Sequence, residues 1–206
     1  MNWNGKIDSR AGVFGGTFDP PHIGHLILAA EAVDQLDLDK VFWVLNPNPP
    51  HKPDRKITAL DFRLRMLQAA ISDNEAFELS DIDINRSPPY FALETVQLLR
   101  EKNPGKELIY LMGGDSLVSL PSWNRPQEFV NAVDAFGVMC RPGSEIDLSK
   151  LDSILPGVQG KVHLIQALLL NVSSSELRSR IHKGQGFRYY VQPQVYDFIL
   201  EHKLYL

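Results

Sequence analysis

Short apolar runs alternate with longer stretches of helical periodicity along the chain. The apolar runs predict strands at AGVFGG (11–16), VFWVLN (41–46), AFELSDIDI (76–84), ELIYLMGG (107–114), DAFGVMC (134–140) and KVHLIQA (161–167). The periodic stretches predict helices at 22–36, 58–71, 91–102, 125–132, 173–184 and 193–203. Strands and helices that trade places in this way predict an α/β fold, in which a doubly wound parallel sheet of five to six strands has helices on both faces.

The same patterns predict which side chains are buried. In the first predicted helix, one apolar face is expected to consist of Ile23, Leu26, Ile27, Ala30, Val33 and Leu36. In the third predicted strand, Asp81 and Asp83 alternate with apolar residues. This alternation predicts a solvent-facing edge at the two carboxylates.

No repeat, low-complexity tract or flexible linker divides the sequence, so residues 1–206 are expected to form one domain. The two last predicted helices indicate a small helical extension over about residues 170–206. No apolar run approaches the roughly 18 residues of a membrane span. A soluble protein without a membrane partner is therefore expected.

Charge and cysteine content narrow the possible partners. The formal net charge is −4, and the 21 basic residues are scattered, which gives no nucleic-acid footprint. A small phosphorylated ligand needs only a few local cations. The single Cys140 excludes an internal disulfide and a multi-thiolate metal site, and it fits a reducing, cytoplasmic location.

The segment GGTFDPPHIGHL (15–26) combines several residues of special chemistry directly after the first predicted strand. Gly15 and Gly16 permit a sharp turn and close approach of a ligand, and a helix begins near His22. A helix N-terminus attracts anions, and His22 and His25 lie on one face of its first turn. The alternatives are a stiff turn with partly buried histidines, or a zinc site for which no third ligand is evident.

Other loops at the carboxyl ends of the predicted strands are candidates for the same site, because ligands of open parallel sheets bind there. These loops include NPNPPHK, GGDSLVSLPSW, RPG and NVSSSELR. Ser173 and Glu176 match a helix capping box, and this N-terminus offers the hydroxyls of Ser174 and Ser175 and the guanidinium of Arg178 to a phosphate. No GxxxxGK[ST] loop and no GxGxxG turn is present.

These motifs together resemble a known family. GGTFDPPHIGHL is similar to the signature of the HxGH nucleotidylyltransferases, which class I aminoacyl-tRNA synthetases share, and VSSSELR is similar to their second motif, ISSTxIR. The PPHK loop (49–52), GGDSLVSLPSW (113–123) and YYVQPQVYDFILEHKLY (189–205) resemble segments of the bacterial nicotinate mononucleotide adenylyltransferases. The resemblance covers nearly the whole chain and implies a Rossmann-like fold.

The resemblance implies adenylyl transfer from ATP to nicotinate mononucleotide, which gives nicotinate adenine dinucleotide and pyrophosphate in NAD biosynthesis. The attacking phosphate oxygen is already ionised, so no side chain is needed as a general base, and catalysis depends on alignment and charge stabilisation. The cofactor implied is Mg²⁺, bound to ATP phosphates and water without protein side-chain ligands. A homodimer or larger homo-oligomer is also compatible with the resemblance.

The family motifs assign roles residue by residue. Three residues are expected at the reacting phosphates: His22, His25 and Lys52. Of these, His25 is expected to contact the α-phosphate. ATP is expected to contact Gly15, Gly16, Thr17, Phe18, Gly24, His25, Ser173, Ser174, Ser175 and Arg178. Gly24 is expected to leave room for adenosine against the helix. The mononucleotide is expected to contact Asp19, Lys52, Tyr90, Asp115, Trp123 and Arg141, with Trp123 stacking on the pyridine ring. Arg55 and Lys56 are expected to be solvated.

One departure affects substrate choice. Where the family carries Tyr-Thr, this chain has Tyr90-Phe91, with Thr95 further on. In the family this loop helps recognise the nicotinate end, so the sequence does not decide between the acid and the amide as substrate. The alternatives are an adenylyltransferase for nicotinamide mononucleotide or phosphopantetheine, an aminoacyl-tRNA synthetase fragment, which would need a KMSKS-like loop that this chain lacks, and a non-catalytic nucleotide sensor.

Overall fold

The computed structural model describes residues 9–48, 57–140, 146–168 and 170–206. Six strands form one sheet of order β3-β2-β1-β4-β5-β6, and every neighbouring pair is parallel. The strands are β1 (Arg10–Gly16), β2 (Lys40–Leu45), β3 (Phe77–Ser80), β4 (Glu107–Gly113), β5 (Ala135–Met139) and β6 (Val162–Leu164). The predicted doubly wound, Rossmann-like parallel sheet is confirmed.

The strand order positions a ligand crevice. The chain runs outward from β1 to β2 and β3, and then returns to the other side of β1 with β4, β5 and β6. The direction of winding therefore reverses between β1 and β4. Connections diverge at such a point, so a crevice forms outside the carboxyl ends of these two strands.

Eight α-helices connect or follow the strands in the described part of the chain. They are α1 (Ile23–Gln35), α2 (Leu60–Ile71), α3 (Ala92–Lys102), α4 (Gly114–Ser119), α5 (Pro126–Ala132), α6 (Leu148–Ile154), α7 (Ser174–His182) and α8 (Pro193–Glu201). Proline occupies the first position of α5 and α8, where its missing N–H costs no hydrogen bond. No helix among the described residues is long and apolar enough to cross a membrane.

Two core layers, one on each face of the sheet, explain the continuous apolar runs of the strands. Along β4, Leu108 and Tyr110 point to one layer, while Ile109 and Leu111 point to the other. The layer with Ile109 packs against α1, α2, α7 and α8, and the layer with Leu108 packs against α3, α5 and α6. Because both faces are buried, the strand sequence does not alternate with polar residues.

The structure differs from the predictions at three places. In α1 the buried residues are Leu28, Ala29 and Ala32, whereas Ala30, which was expected on the buried face, is exposed. Four other residues of the predicted face, Ile23, Leu26, Val33 and Leu36, are partly buried and pack against the same core layer. The short helices α4 and α6 were not predicted; they are six and seven residues long, too short for a clear periodicity.

The third difference concerns the carboxylates after β3. The strand ends at Ser80, so Asp81 and Asp83 lie in a turn and not along a solvent-facing edge. Asp81 is exposed as expected, but Asp83 is only 3% exposed. Asp83 turns inward because Arg86 and Thr95 donate hydrogen bonds to its carboxylate.

The C-terminal segment packs on the body that the sheet forms. α8 lies against α2, and its buried residues Val195 and Ile199 belong to the core layer of α1 and α2. Beyond α8, the hydroxyl of Tyr205 donates a hydrogen bond of 2.7 Å to Oδ1 of Asp19, in the turn after β1. The end of the chain therefore contacts the first loop at the crevice.

Candidate active site

A cavity of about 420 Å³ lies at the carboxyl ends of β1 and β4, within the ~300–1,000 Å³ typical of small-molecule sites. It brings together most of the site residues predicted from the two end motifs. Those residues are Gly15, Gly16, Thr17, Phe18, Asp19, His22, Gly24, His25, Asp115, Trp123, Ser173, Ser174, Ser175 and Arg178. Motifs about 150 residues apart in the sequence thus face one space.

The two histidines lie at the start of α1, as their spacing predicts. Their rings stack with 3.6 Å between centroids and an interplanar angle of 19°. His22 is the N-cap of α1 and is buried, while His25 is half-buried and packs edge-on against Phe18. Both imidazoles therefore border the same part of the cavity.

One hydrogen bond determines the tautomer of His25. The backbone N–H of His22 donates to Nδ1 of His25 over 3.2 Å, so Nδ1 is an acceptor. In the neutral ring, the proton then resides on Nε2, which is a donor. Burial and the neighbouring His22 hold the pKa of His25 well below its ordinary value, which favours this neutral form.

The N-terminus of α7 forms the opposite wall of the cavity. Ser173 is the N-cap, and its Oγ accepts a hydrogen bond of 3.2 Å from the backbone N–H of Glu176, so the predicted cap is confirmed. Ser174 Oγ donates to the carbonyl of Pro20 over 2.9 Å. Arg178 donates to the carbonyl of Asp19 and to Ser175 Oγ. The second motif thus contacts the first directly.

The Asp19 carboxylate is enclosed by protein groups. It is 3% exposed, and it accepts hydrogen bonds from the Tyr205 hydroxyl and from the backbone N–H of Thr58. Nη1 of Arg178 lies 3.9 Å from its Oδ2. Asp19 thus connects the turn after β1 with α7 and with the C-terminus.

The glycines of the first motif allow close packing. A Cβ at Gly24 would lie 2.8 Å from Cγ1 of Val172 and 3.2 Å from the His22 ring, so the space beside Gly24 holds protein atoms. A Cβ at Gly15 would lie 2.8 Å from the hydroxyl of Tyr110, and one at Gly16 would lie 2.8 Å from the Phe18 ring. A side chain at any of these three positions would therefore require the neighbouring protein atoms to shift.

A smaller cavity of about 180 Å³ adjoins the first and shares the strip Gly15–Thr17 with it. It contains the predicted residues Tyr90 and Trp123. Its remaining walls are Val44, Asn46, Asp83, Phe91, Ala92, Leu93, Thr95, Tyr110, Asn124 and Phe129. The half-buried Trp123 lines both cavities, and its ring is tilted by 34° against that of Phe129.

A network around Arg86 fixes the far wall of this smaller cavity. Arg86 donates to Asp83 over 2.8 Å and to the carbonyls of Pro89 and Phe91, and it lies 5.2 Å from the centre of the Tyr90 ring. Burial raises the pKa of Asp83 and outweighs these hydrogen bonds. Arg86, paired with Asp83, thus fixes the loop on both sides of Tyr90 through the carbonyls of Pro89 and Phe91.

The N-terminus of α3 also borders the smaller cavity. Its N-cap, Phe91, makes no side-chain cap, and the residues of the first turn, Ala92 and Leu93, line the wall. Unpaired N–H groups at a helix start carry partial positive charge. The start of α3 thus contributes partial positive charge to this end of the cavity, where Arg86 pairs with the Asp83 carboxylate.

Two predicted site residues lie outside the described part of the chain: Lys52, with Arg55 and Lys56 on the same loop, and Arg141. Conversely, Asn46, Asp83 and Tyr110 line the cavities and were not predicted. Asn46 directly follows β2, a position that could have identified it, whereas Tyr110 lies in the middle of β4 and reads as a core residue. Asp83 gave no such signal because it lies beyond its strand.

Comparisons with known proteins agree with this geometry. Residues 13–180 match the family described as cytidylyltransferase-like. A "probable nicotinate-nucleotide adenylyltransferase" of Thermomicrobium roseum is 39% identical, with 96% of this chain and 92% of that protein covered. One of Exiguobacterium sibiricum is 37% identical, with 95% and 98% covered.

The fold also matches a solved structure, "Plasmodium falciparum nicotinic acid mononucleotide adenylyltransferase complexed with NaAD". The TM-score is 0.80, with 22% identity and 96% of this chain and 97% of that chain covered. At this identity the match concerns the fold. By the family model and the full-length relatives, the chain belongs to the cytidylyltransferase-like family and, within it, to the nicotinate-nucleotide adenylyltransferases.

Proposed function

We propose that the protein transfers the adenylyl group of ATP to nicotinate mononucleotide, giving nicotinate adenine dinucleotide and pyrophosphate. The observation that carries this proposal is the arrangement of the two cavities. One is bordered by the HxGH turn and the N-terminus of α7, and the other is lined by Trp123 and Tyr90. They meet at Gly15–Thr17, where two substrates could react.

The larger cavity suits the triphosphate of ATP. His25 presents a neutral ring whose Nε2–H donates to the α-phosphate, while Nδ1 is occupied by the His22 backbone. The backbone N–H groups at the start of α7 are directed to the outer phosphates. The guanidinium N–H groups of Arg178 that do not bond Asp19 or Ser175 are directed to the same phosphates. Asp115, at the start of α4, lines the same cavity, where we place it against a ribose hydroxyl of the mononucleotide.

The smaller cavity suits the pyridine ring and its substituent. We place the ring against Trp123 and Tyr90, where flat aromatic surfaces favour stacking. The uncapped N-terminus of α3 at the far wall favours the carboxylate of nicotinate over the neutral amide. This end of the cavity is also where the chain has Tyr90-Phe91 in place of the family's Tyr-Thr pair.

The reaction then needs no proton abstraction. An oxygen of the mononucleotide phosphate attacks the α-phosphorus of ATP, a new P–O bond forms, and the bond to pyrophosphate breaks. His25 and main-chain N–H groups of the Gly15–Phe18 turn offset the negative charge that accumulates around phosphorus. Lys52 and Arg141 remain predicted phosphate contacts.

The substrate on the ATP side is the magnesium complex. No group of three or more His, Cys, Asp or Glu among the described residues could hold a metal ion. In the proposed complex, the ion would take its ligands from phosphate oxygens and water and would withdraw charge from the phosphates. We also propose one domain over 1–206, a cytoplasmic location, and a homodimer or larger homo-oligomer, which light scattering would test.

The test is a pyrophosphate-release assay with Mg-ATP and, in turn, nicotinate mononucleotide, nicotinamide mononucleotide and phosphopantetheine. We expect release with the nicotinate compound, a kcat/KM at least about tenfold lower with the amide, and none with phosphopantetheine or without acceptor. Mass spectrometry should identify the dinucleotide. If none of the three acceptors led to pyrophosphate release, the proposed enzyme would be excluded and a nucleotide sensor favoured. Preference for the amide would overturn both nicotinate mononucleotide as the acceptor and the assignment of the α3 end, but not adenylyl transfer itself.

A further inference from the structure

Arg63 is a buried cation that none of the sequence motifs includes. It lies on α2 with 1% of its surface exposed, and all three guanidinium nitrogens donate to main-chain carbonyl oxygens. Nε bonds Thr58 at 2.8 Å, Nη1 bonds Thr17 at 3.0 Å and Asn46 at 2.8 Å, and Nη2 bonds Pro47 at 2.7 Å. A buried charge needs such partners, because the loss of water is costly.

The carbonyls that Arg63 binds belong to the loops at the active cavities. Thr17 lies in the turn between β1 and α1 and lines both cavities. Asn46 and Pro47 directly follow β2, and Asn46 lines the smaller cavity. One side chain therefore joins the main chain after β1 to the main chain after β2.

The bond to Thr17 has a consequence for the next peptide N–H. In a trans peptide, the C=O and the following N–H point in opposite directions. When Arg63 draws the Thr17 carbonyl toward α2, the N–H of Phe18 is turned away from α2. Phe18 itself borders the larger cavity.

The backbone of Phe18 also needs an external restraint. Its φ is +46°, in the left-handed region that favours glycine and disfavours a bulky aromatic residue. Such a conformation persists only where the surroundings fix it. The Phe18 ring packs against Phe14 and Trp43, and Arg63 supplies the polar restraint on the peptide that precedes it.

We propose that Arg63 is a positioning residue, which aims the Phe18 N–H at the reacting phosphates and holds the two substrate loops in register; this role rests on the proposed adenylyl transfer. A lysine cannot replace it. The ammonium of a lysine has its three N–H donors on one nitrogen, whereas the four carbonyls lie around the three nitrogens of the planar guanidinium.

The chain offers a matched control on the same helix. Arg65 lies two residues further along α2, its side chain is 58% exposed, and it pairs with Asp61 at 3.3 Å. We would compare Arg63→Lys and Arg63→Met with Arg65→Lys and Arg65→Met. Kinetics are normalised to the folded fraction, and thermal unfolding is recorded for each variant.

We expect the Arg63 variants to lose at least about tenfold in kcat, because small misplacements at a reacting centre are costly. KM for ATP should stay within about threefold, since the other phosphate contacts remain. The Arg65 variants should resemble the wild type. Folded Arg63→Lys with a kcat within twofold of wild type would overturn the proposal, as would a loss explained by the folded fraction alone.

Hydrogen–deuterium exchange gives a readout that does not depend on turnover. Exchange in peptides covering 15–22 and 46–48 should be faster in Arg63→Lys than in Arg65→Lys, with the rest of the sheet unchanged. Unchanged exchange there would overturn the positioning role. A wild-type protein without turnover would contradict the proposed function, while the exchange result would still decide the role of Arg63.

Discussion

Tyr205 provides a sharp test of how the C-terminus supports the site. Its hydroxyl donates to Oδ1 of Asp19 over 2.7 Å, and Asp19 is 3% exposed. Tyr205→Phe removes this hydrogen bond and keeps the ring. A hydrogen bond to a charged group contributes about 1.5–3 kcal/mol to stability. For a protein of this size, 1 kcal/mol corresponds to roughly 2–4 °C, so Tm should fall by about 3–12 °C.

The assay is differential scanning calorimetry at pH 7, with Tyr189→Phe as the matched control. The Tyr189 side chain is 89% exposed, so its Tm should stay within about 1 °C of the wild type. The backbone carbonyl of Asp19 also accepts a hydrogen bond from Arg178, which we propose contacts the ATP phosphates. A displaced Asp19 would therefore displace Arg178, and Tyr205→Phe should raise KM for ATP several-fold. The reasoning would be refuted if both variants melted alike, or if Tyr205→Phe left Tm unchanged.

Three further predictions concern the HxGH turn. His25→Ala should fold but lose about 10²–10³ in kcat, as expected for one charge-stabilising donor, and steady-state kinetics with circular dichroism would check this. Gly24→Ala should cost about 1–3 kcal/mol in thermal unfolding, because its Cβ would lie 2.8 Å from Val172, and should lower kcat through the displaced His22 ring. As pH falls below about 6.5, His25 takes up a proton in the unfolded state but stays neutral in the folded state, because its pKa there is lowered. The folded state is therefore destabilised at low pH. The wild type should therefore lose more Tm between pH 7.5 and 5.5 than His25→Ala does; equal losses would contradict the lowered pKa.

The sequence predicted the fold well because the strands are buried on both faces. The apolar run from Leu108 to Met112 indicated a buried strand, and the alternation with helices indicated a parallel sheet. The strand order β3-β2-β1-β4-β5-β6 comes from the structure. The direction in which α1 faces was not predictable from hydrophobicity alone. Small residues such as Ala29 and Ala32 carry little apolar signal, yet both are fully buried.

The candidate site was predictable where residues follow strands or begin helices. His22, His25 and Ser173 lie where such positions place them. Arg63 and Asp83 were missed for a physical reason. Arg63 bonds carbonyls of two loops distant in the sequence, and Asp83 is buried by a turn that its alternating pattern did not indicate, so neither differs locally from a solvated charged residue.

The strip Gly15–Thr17, which forms a wall of both cavities, also affects how the reaction ends. With the substrates placed as proposed, a dinucleotide product joined across this strip would occupy the places of both substrates at once. It therefore acts as a bisubstrate analogue, and product inhibition should be competitive toward ATP and toward the mononucleotide alike. The cell's own dinucleotide pool would then limit the rate at which more is made.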